Sequence, residues 1–198
     1  VAKAVDADPS EVVFTASGSE ANNLLIQGLA RAYRGESHEA CEMACAATEH
    51  PCVLAPMKAL QHEGFGVSVL PVDRDGQVSK TAIGGLSGST RLVSVMTANN
   101  ETGVVQEVAE LARAFHAAHQ GWFHSDAVQA FGKHPLSFRR LNDAGVSALT
   151  ISGHKVCGPK GAAALIRDRA LPLVPLIHGG GQEGGLRSGT ENVAAIVG

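Results

Sequence analysis

Short β-branched runs alternate along this chain with longer stretches whose apolar positions return at helical spacing. After the Asp8-Pro9-Ser10 turn, Glu11 to Thr15 (Glu-Val-Val-Phe-Thr) predicts a buried strand. The small residues Ala16 to Ser19 open a helix from Glu20 to Arg34 with Ala21, Leu25, Leu29 and Ala32 on one face. Gly35 to Ala40 reads as a polar linker and Met43 to Thr48 as a second strand. Leu54 to Glu63 reads as a helix in conflict with Pro56, so either it begins late or its first turn holds the proline. Gly66 to Pro71 alternates as a strand, Thr81 to Leu86 is a weak helix, and Leu92 to Met96 is another strand. Glu107 to His119 is strongly amphipathic through Val108, Leu111, Ala112 and Phe115. Trp122 to His124 leads into Ser125-Asp126-Ala127, Val146 to Ile151 and Ala162 to Ile166 predict two further strands, and Glu191 to Gly198 starts a helix-like pattern.

Strands alternating with helices in this way predict an α/β fold: three layers, α/β/α, around a mostly parallel sheet covered on both faces. Ligands of such sheets bind at the carboxyl ends of the strands. Ser19, His50, Asn100, Asp126 and Lys155 each follow an apolar run, which predicts that they share that edge.

Composition narrows the function classes. The 198 residues are 44% hydrophobic, enough for a sizeable core. A net charge of −3 with no basic block argues against nucleic acid as the main partner. No apolar run approaches a membrane span. Cys41, Cys45, Cys52 and Cys157 form no dense framework, which agrees with a reducing, cytoplasmic setting. Cys41 and Cys45 lack a second pair and His116 and His119 read as a solvated helix edge, so no metal site is expected. Without an initiator methionine, and ending inside a helix-like pattern, the chain reads as a piece incomplete at both ends.

The densest chemistry lies in Ser152-Gly153-His154-Lys155, followed by Val156-Cys157-Gly158-Pro159-Lys160-Gly161. A lysine at a strand end is either a surface residue in a turn or an amine set for Schiff-base formation with an aldehyde. The second needs partial desolvation, because burial depresses the lysine pKa and frees the lone pair. From Thr15 to Glu20 a strand passes through small residues into a helix start, which suits either an ordinary cap or an anion held by free amides and the helix dipole. Asp126 and Lys155 fall on successive strands if Leu141 to Gly145 belongs to the crossover. They form a buried ion pair or, with a phosphate at the helix start, a pair suited to pyridoxal phosphate: an amine for its aldehyde and a carboxylate that keeps its ring nitrogen protonated.

Several segments carry a family resemblance: Phe14 to Asn23, Glu49-His50, Ala98 to Gly103, His124 to Gln129, Ser152 to Lys155 and Gly179 to Thr190. In order and spacing the chain resembles the cysteine desulfurases, fold-type I pyridoxal-phosphate enzymes of the class V aminotransferase group. The resemblance covers nearly the whole chain and implies that residues 1–198 are a cofactor-binding large domain without the C-terminal small domain. It implies a Schiff base on Lys155, with His50 stacked on the pyridine ring and relaying protons. Gly18, Ser19, Ser152 and His154 would hold the phosphate, Asn100 and Gln129 would hydrogen-bond the phenolic oxygen and its surroundings, and Asp126 would pair with the ring nitrogen. Thr190 would reach the phosphate in the other subunit of a homodimer. The implied reaction removes sulfur from L-cysteine, leaving L-alanine and an enzyme persulfide for a sulfur acceptor or iron–sulfur scaffold protein. Selenocysteine lyase shares these motifs, and a catalytically incompetent cofactor-binding or dimerisation fragment is the third reading. Ser19 stands where that family usually has threonine, and Glu183-Gly184-Gly185 lacks an arginine often found there. The persulfide-carrying cysteine and the arginine for the substrate carboxylate are expected beyond Gly198.

Overall fold

The computed structural model describes residues 1–36 and 41–198. Seven strands form one sheet: β1 (Val12–Thr15), β2 (Glu42–Ala46), β3 (Gly66–Leu70), β4 (Thr90–Ser94), β5 (Trp122–Asp126), β6 (Val146–Ser152) and β7 (Ala163–Arg167). The order is β1-β7-β6-β5-β4-β2-β3. All pairings from β6 through β5, β4 and β2 to β3 are parallel, and β7 runs antiparallel to both β6 and β1.

Side-chain alternation explains the three layers. On β2, Met43 and Cys45 pack with α1 (Gly18–Glu36) and α2 (Pro51–His62). Ala44 and Ala46 face the other way, toward α3 (Lys80–Gly84), α4 (Val108–His116) and α5 (Phe138–Asp143). A strand buried on both faces therefore reads as a continuous apolar run. The last helix, α6 (Val193–Val197), lies outside this arrangement of crossovers.

Several boundaries differ from the periodicity. Glu11 closes a short turn of 3-10 helix, Pro9–Glu11, instead of starting β1, because Asp8 and Glu11 form a reciprocal capping box. Helix α1 begins at Gly18 and runs through Glu36, so Gly35 and Glu36 are helical; the rest of the expected linker, residues 37–40, lies outside the described residues. The buried face of α1 is also wider than one stripe: Leu24, Ile26 and Ala30 join Ala21, Leu25 and Leu29. Its outer side is covered by residues 171–174, where the Val174 amide donates to Gly28 O.

Helix α2 starts at Pro51, a turn earlier than expected. His50 accepts from the Cys52 amide as its cap, and proline at the first helical position loses no bond because that N–H is unpaired anyway. Pro56 then falls beyond the first turn, buried, where it forgoes one backbone hydrogen bond. Helix α4 stops at His116, and the two histidines near its end part company. His116 is exposed, whereas His119 is buried and stacked on Phe115 at 5.2 Å, not on a solvated edge.

Between β5 and β6 the register slips: Phe123 pairs with Val146, but His124 pairs with Ala148. The extra residue, Ser147, is a bulge that turns the upper half of β6 over. His124 and Asp126 both face α1 and α2, and that orientation places the site.

Candidate functional site

Because β1 and β6 are each antiparallel to β7, β1 runs in the direction of β6. The carboxyl ends of β1, β2, β4, β5 and β6 thus open on one edge. The connection leaving β2 passes over one face and the connection leaving β4 over the other, so the chain parts there and leaves a crevice. A pocket of about 180 Å³ occupies that edge. It is lined by Gly18, Ser19, His50, Asn100, Asp126, Gln129, Ser152, His154 and Lys155, the residues that sequence reasoning expected to meet, together with Ser17, Cys52, Met96 and Val128.

The α1 start resolves both sequence readings in part. Ser17 Oγ accepts the Glu20 amide at 3.1 Å, so the helix is capped. The earlier amides of Gly18 and Ser19 belong to the turn that has no acceptor within the helix, and both residues line the pocket. A Cβ on Gly18 would meet Val128 Cγ2 at 3.2 Å, so a side chain there would crowd the wall. Across the pocket Ser152 Oγ and His154 Nδ1 lie 2.9 Å apart.

Asp126 closes the deep end, 4% exposed. Its Oδ1 accepts the Val128 amide at 3.0 Å and its Oδ2 accepts Asn22 Nδ2 at 2.8 Å. Burial pushes the carboxyl up, and these two bonds and the nearby His50 and Cys52 offset part of that rise. His124, on the same face of β5, is fully buried between Ser94 and Thr150, and burial depresses its pKa to about 3, so the ring is neutral.

His50 and Asn100 sit on two loops tied together. Asn99 Oδ1 accepts the Glu101 and Thr102 amides, and its Nδ2 donates to Thr48 O at 2.9 Å. Asn99 is therefore the turn former, and the exposed Asn100 side chain beside it faces the pocket. His50 Nδ1 accepts the Cys52 amide and lies 2.9 Å from Cys52 Sγ. Asn22 Nδ2 meets the same sulfur at 3.0 Å. Burial pushes the Cys52 thiol up to about 11, which keeps it protonated at neutral pH.

Lys155 ends a 3-10 turn, Gly153–Lys155, directly after β6 and lines the pocket mouth. It is exposed, so the burial expected of it is not found in this chain. Gln129 is half-buried, and its Oε1 accepts Lys133 Nζ at 2.6 Å. Thr190 is the residue not brought to this pocket. It is exposed and lines a separate depression with Thr15, Gly161 and Arg187. That segment is clamped to α1 and β1: Arg187 Nε donates to Glu20 Oε1 at 2.8 Å, and Glu183 Oε2 accepts the Phe14 amide at 2.7 Å.

Sequence reasoning assigned no role to Asn22, Glu49, Cys52 or Met96. Asn22 and Glu49 lie inside the segments that carry the family resemblance, but an interior helical position and a loop carboxyl give no sign of facing β5 and β4. Among the described residues no group of three or more His, Cys, Asp or Glu side chains is placed to hold a metal ion. No described helix is long and apolar enough to cross a membrane.

Fold and site together define a class: a three-layer α/β domain with a lysine, a buried aspartate and a helix start converging on the carboxyl edge of a mostly parallel sheet. The family model for aminotransferase class V matches residues 1–198, and the chain belongs to that family. It is 43% identical over 201 residues to a human protein named cysteine desulfurase, matching 100% of this chain and 42% of that one. It is 41% identical over 199 residues to cysteine desulfurase IscS of Dictyoglomus turgidum, covering 49% of its length. A relative from Eremothecium gossypii, 42% identical over 201 residues, is named as mitochondrial. Among solved structures, a NifS-like protein superposes with a TM-score of 0.93 at 38% identity, over 99% of this chain and 53% of its own. A structure titled SspA in complex with cysteine gives 0.90 at 38% identity, over 100% and 56%. The chain thus spans about half the length of the relatives it matches.

Proposed function

We propose that this chain is the cofactor-binding part of a pyridoxal-phosphate-dependent cysteine desulfurase, which takes sulfur from L-cysteine and leaves L-alanine. The observation that carries the reading is the placement of Asp126 and Lys155 at the ends of adjacent parallel strands, on the edge where α1 begins. The donor set suits the cofactor. Free amides at Gly18 and Ser19, with the Ser152 hydroxyl and the His154 ring, offer hydrogen-bond donors to a phosphate. Met96 and Val128 give apolar walls to a planar ring, and Asp126 waits at the buried end.

When bound, the cofactor supplies an electron sink for charge developing at the substrate α-carbon. Asp126, oriented by Asn22 and the Val128 amide, would hold the proton on the ring nitrogen, and a cation there would restore the charged form that burial disfavours. Lys155 Nζ offers the amine and afterwards moves the proton at the α-carbon. His50 would stand against the ring and relay protons through its imidazole, and Asn100 and Gln129 would donate toward the phenolic oxygen. Cys52 lines the pocket, but its protonated thiol is no persulfide nucleophile. The sulfur goes to a cysteine elsewhere in the enzyme, and from it to an acceptor or iron–sulfur scaffold protein. The exposed Thr190, held away from its own chain's pocket by the Glu20–Arg187 pair, serves the partner subunit's phosphate in a homodimer. The four free cysteines support a reducing, cytoplasmic setting.

The test is to mix the folded chain with pyridoxal phosphate, reduce with borohydride, digest and locate the label by mass spectrometry. Label on Lys155 is expected. Label on another lysine, or none on a folded dimer, overturns the reading. Alanine and sulfide production from L-cysteine by the whole enzyme then checks the reaction.

A further inference from the structure

Glu49 lies between β2 and α2 and is 4% exposed. Its Oε1 accepts the Met96 amide at 2.5 Å, while its Oε2 is buried with no hydrogen-bond partner. Met96 stands just past β4 in the pocket wall, and the residue after Glu49 is His50. The carboxyl group is therefore a pin between the loop that carries His50 and the strand end that carries Met96. The Asn99 bond to Thr48 O is a second tie between the same segments.

Among the described residues no lysine, arginine or histidine forms an ion pair with Glu49. The groups that act on it include Asp126 from β5, Cys45 from β2, Cys52 from α2 and the Ser94 hydroxyl from β4; His50, next in the chain, bonds to neither of its oxygens and accepts the Cys52 amide. An ionised carboxylate buried without a counter-charge costs more than one amide donor returns. Two carboxyl groups in one buried region also cannot both ionise cheaply. Asp126 is the better stabilised, with a donor on each oxygen against a single donor for Glu49. Burial and the Asp126 charge both push the Glu49 carboxyl well above its ordinary value.

A proton on Oε2 removes the charge from the orphan atom and makes it a donor, which a small turn of the side chain can aim at Ser94. Ser94 stands beside Glu49 without a hydrogen bond of ordinary geometry, and its Oγ lies 2.8 Å from His124 Nδ1. A protonated carboxyl can give to Ser94, Ser94 to the neutral His124, and the other ring nitrogen to Thr150 Oγ1 at 3.1 Å. Each group in that row then has a donor or acceptor to match its neighbour.

We propose that Glu49 is a positioning residue working as a neutral carboxylic acid, which pins the His50 loop to the end of β4 and leaves the region's negative charge on Asp126. The use made of that charge rests on the function proposed above; the protonation of Glu49 does not. Infrared spectra of the chain and of Glu49→Gln, taken without cofactor at neutral pH, are expected to differ by the C=O band of a protonated acid. A difference in carboxylate bands instead overturns the proposal. Pyridoxal phosphate titration supplies the second readout. Glu49→Gln, which keeps an acceptor for Met96 and a donor for Ser94, is expected to bind like the parent, and Glu49→Ala about tenfold more weakly, with faster exchange of the Met96 amide. Equal binding by both variants, or loss in both, overturns the neutral pin. A protonated-acid band in a chain that does not bind the cofactor would uphold Glu49 and sink the proposed function.

Discussion

Asn22 Nδ2 donates to Asp126 Oδ2 at 2.8 Å, joining α1 to the last residue of β5 across 104 positions of sequence. The same nitrogen meets Cys52 Sγ, so one amide orders both the carboxylate and the thiol beneath the pocket. Asn22→Ala removes a buried donor and is expected to lower unfolding free energy by about 1–3 kcal/mol in urea titrations. The Asp126 carboxyl, already raised by burial, should rise further in a carbon-13 titration of the variant.

His124 gives a pH dependence of known sign. Its pKa is 6.5 when free and about 3 in the fold, so between those values the unfolded chain binds the extra proton. Its contribution to stability is present above pH 6.5 and is lost as pH falls toward 3, at up to about 1.4 kcal/mol per pH unit. Glu49 and Asp126, both raised, act with the opposite sign, favouring the fold at low pH and losing that contribution as pH rises. The quantity to measure is therefore Glu49→Gln minus Glu49→Gln/His124→Asn, in which the coupled Glu49 carboxyl is absent and Asp126 cancels: it should climb with pH through this window and flatten above it.

Two glycines in helices should respond oppositely to alanine. A Cβ on Gly28 would stand 2.7 Å from Val174 O, a backbone atom that cannot swing aside. Overpacking of about 1–3 kcal/mol there outweighs the ~1 kcal/mol that alanine gains in a helix. A Cβ on Gly84 meets nothing within 4 Å, so Gly84→Ala should keep that gain. Thermal melting is expected to fall for Gly28→Ala and to hold or rise for Gly84→Ala.

Thiol labelling should be ordered by exposure and burial. Cys157 is exposed, while burial pushes Cys52 to about 11 and Cys45 to about 12. Iodoacetamide at neutral pH is expected to modify Cys157 first, with Cys52 reacting faster only as pH rises, as read by peptide mass spectrometry.

Lys155 is exposed and forms no ion pair among the described residues. Lys155→Ala should therefore change stability by no more than about 0.5 kcal/mol, yet abolish the borohydride label. A large loss of stability would show that the lysine holds the fold instead of standing ready at its edge.

The sequence by itself determined the alternation of strands and helices, the burial of the sheet on both faces and the common edge on which His50, Asn100, Asp126 and Lys155 stand. Those features follow from side-chain period and from turn chemistry, which act over a few neighbouring residues. Even the Ser17 cap and the open α1 start were written in a handful of consecutive small residues. Only the tertiary structure decided that Asn22 would orient Asp126, that Glu49 would reach Met96, that Cys52 would lie under His50 and that Thr190 would turn to a different depression. It also left Lys155 exposed and His119 buried, each against its local pattern. Hydrogen-bond partners, burial and the pKa values that follow from them are set by which distant elements pack together, and no local period encodes that.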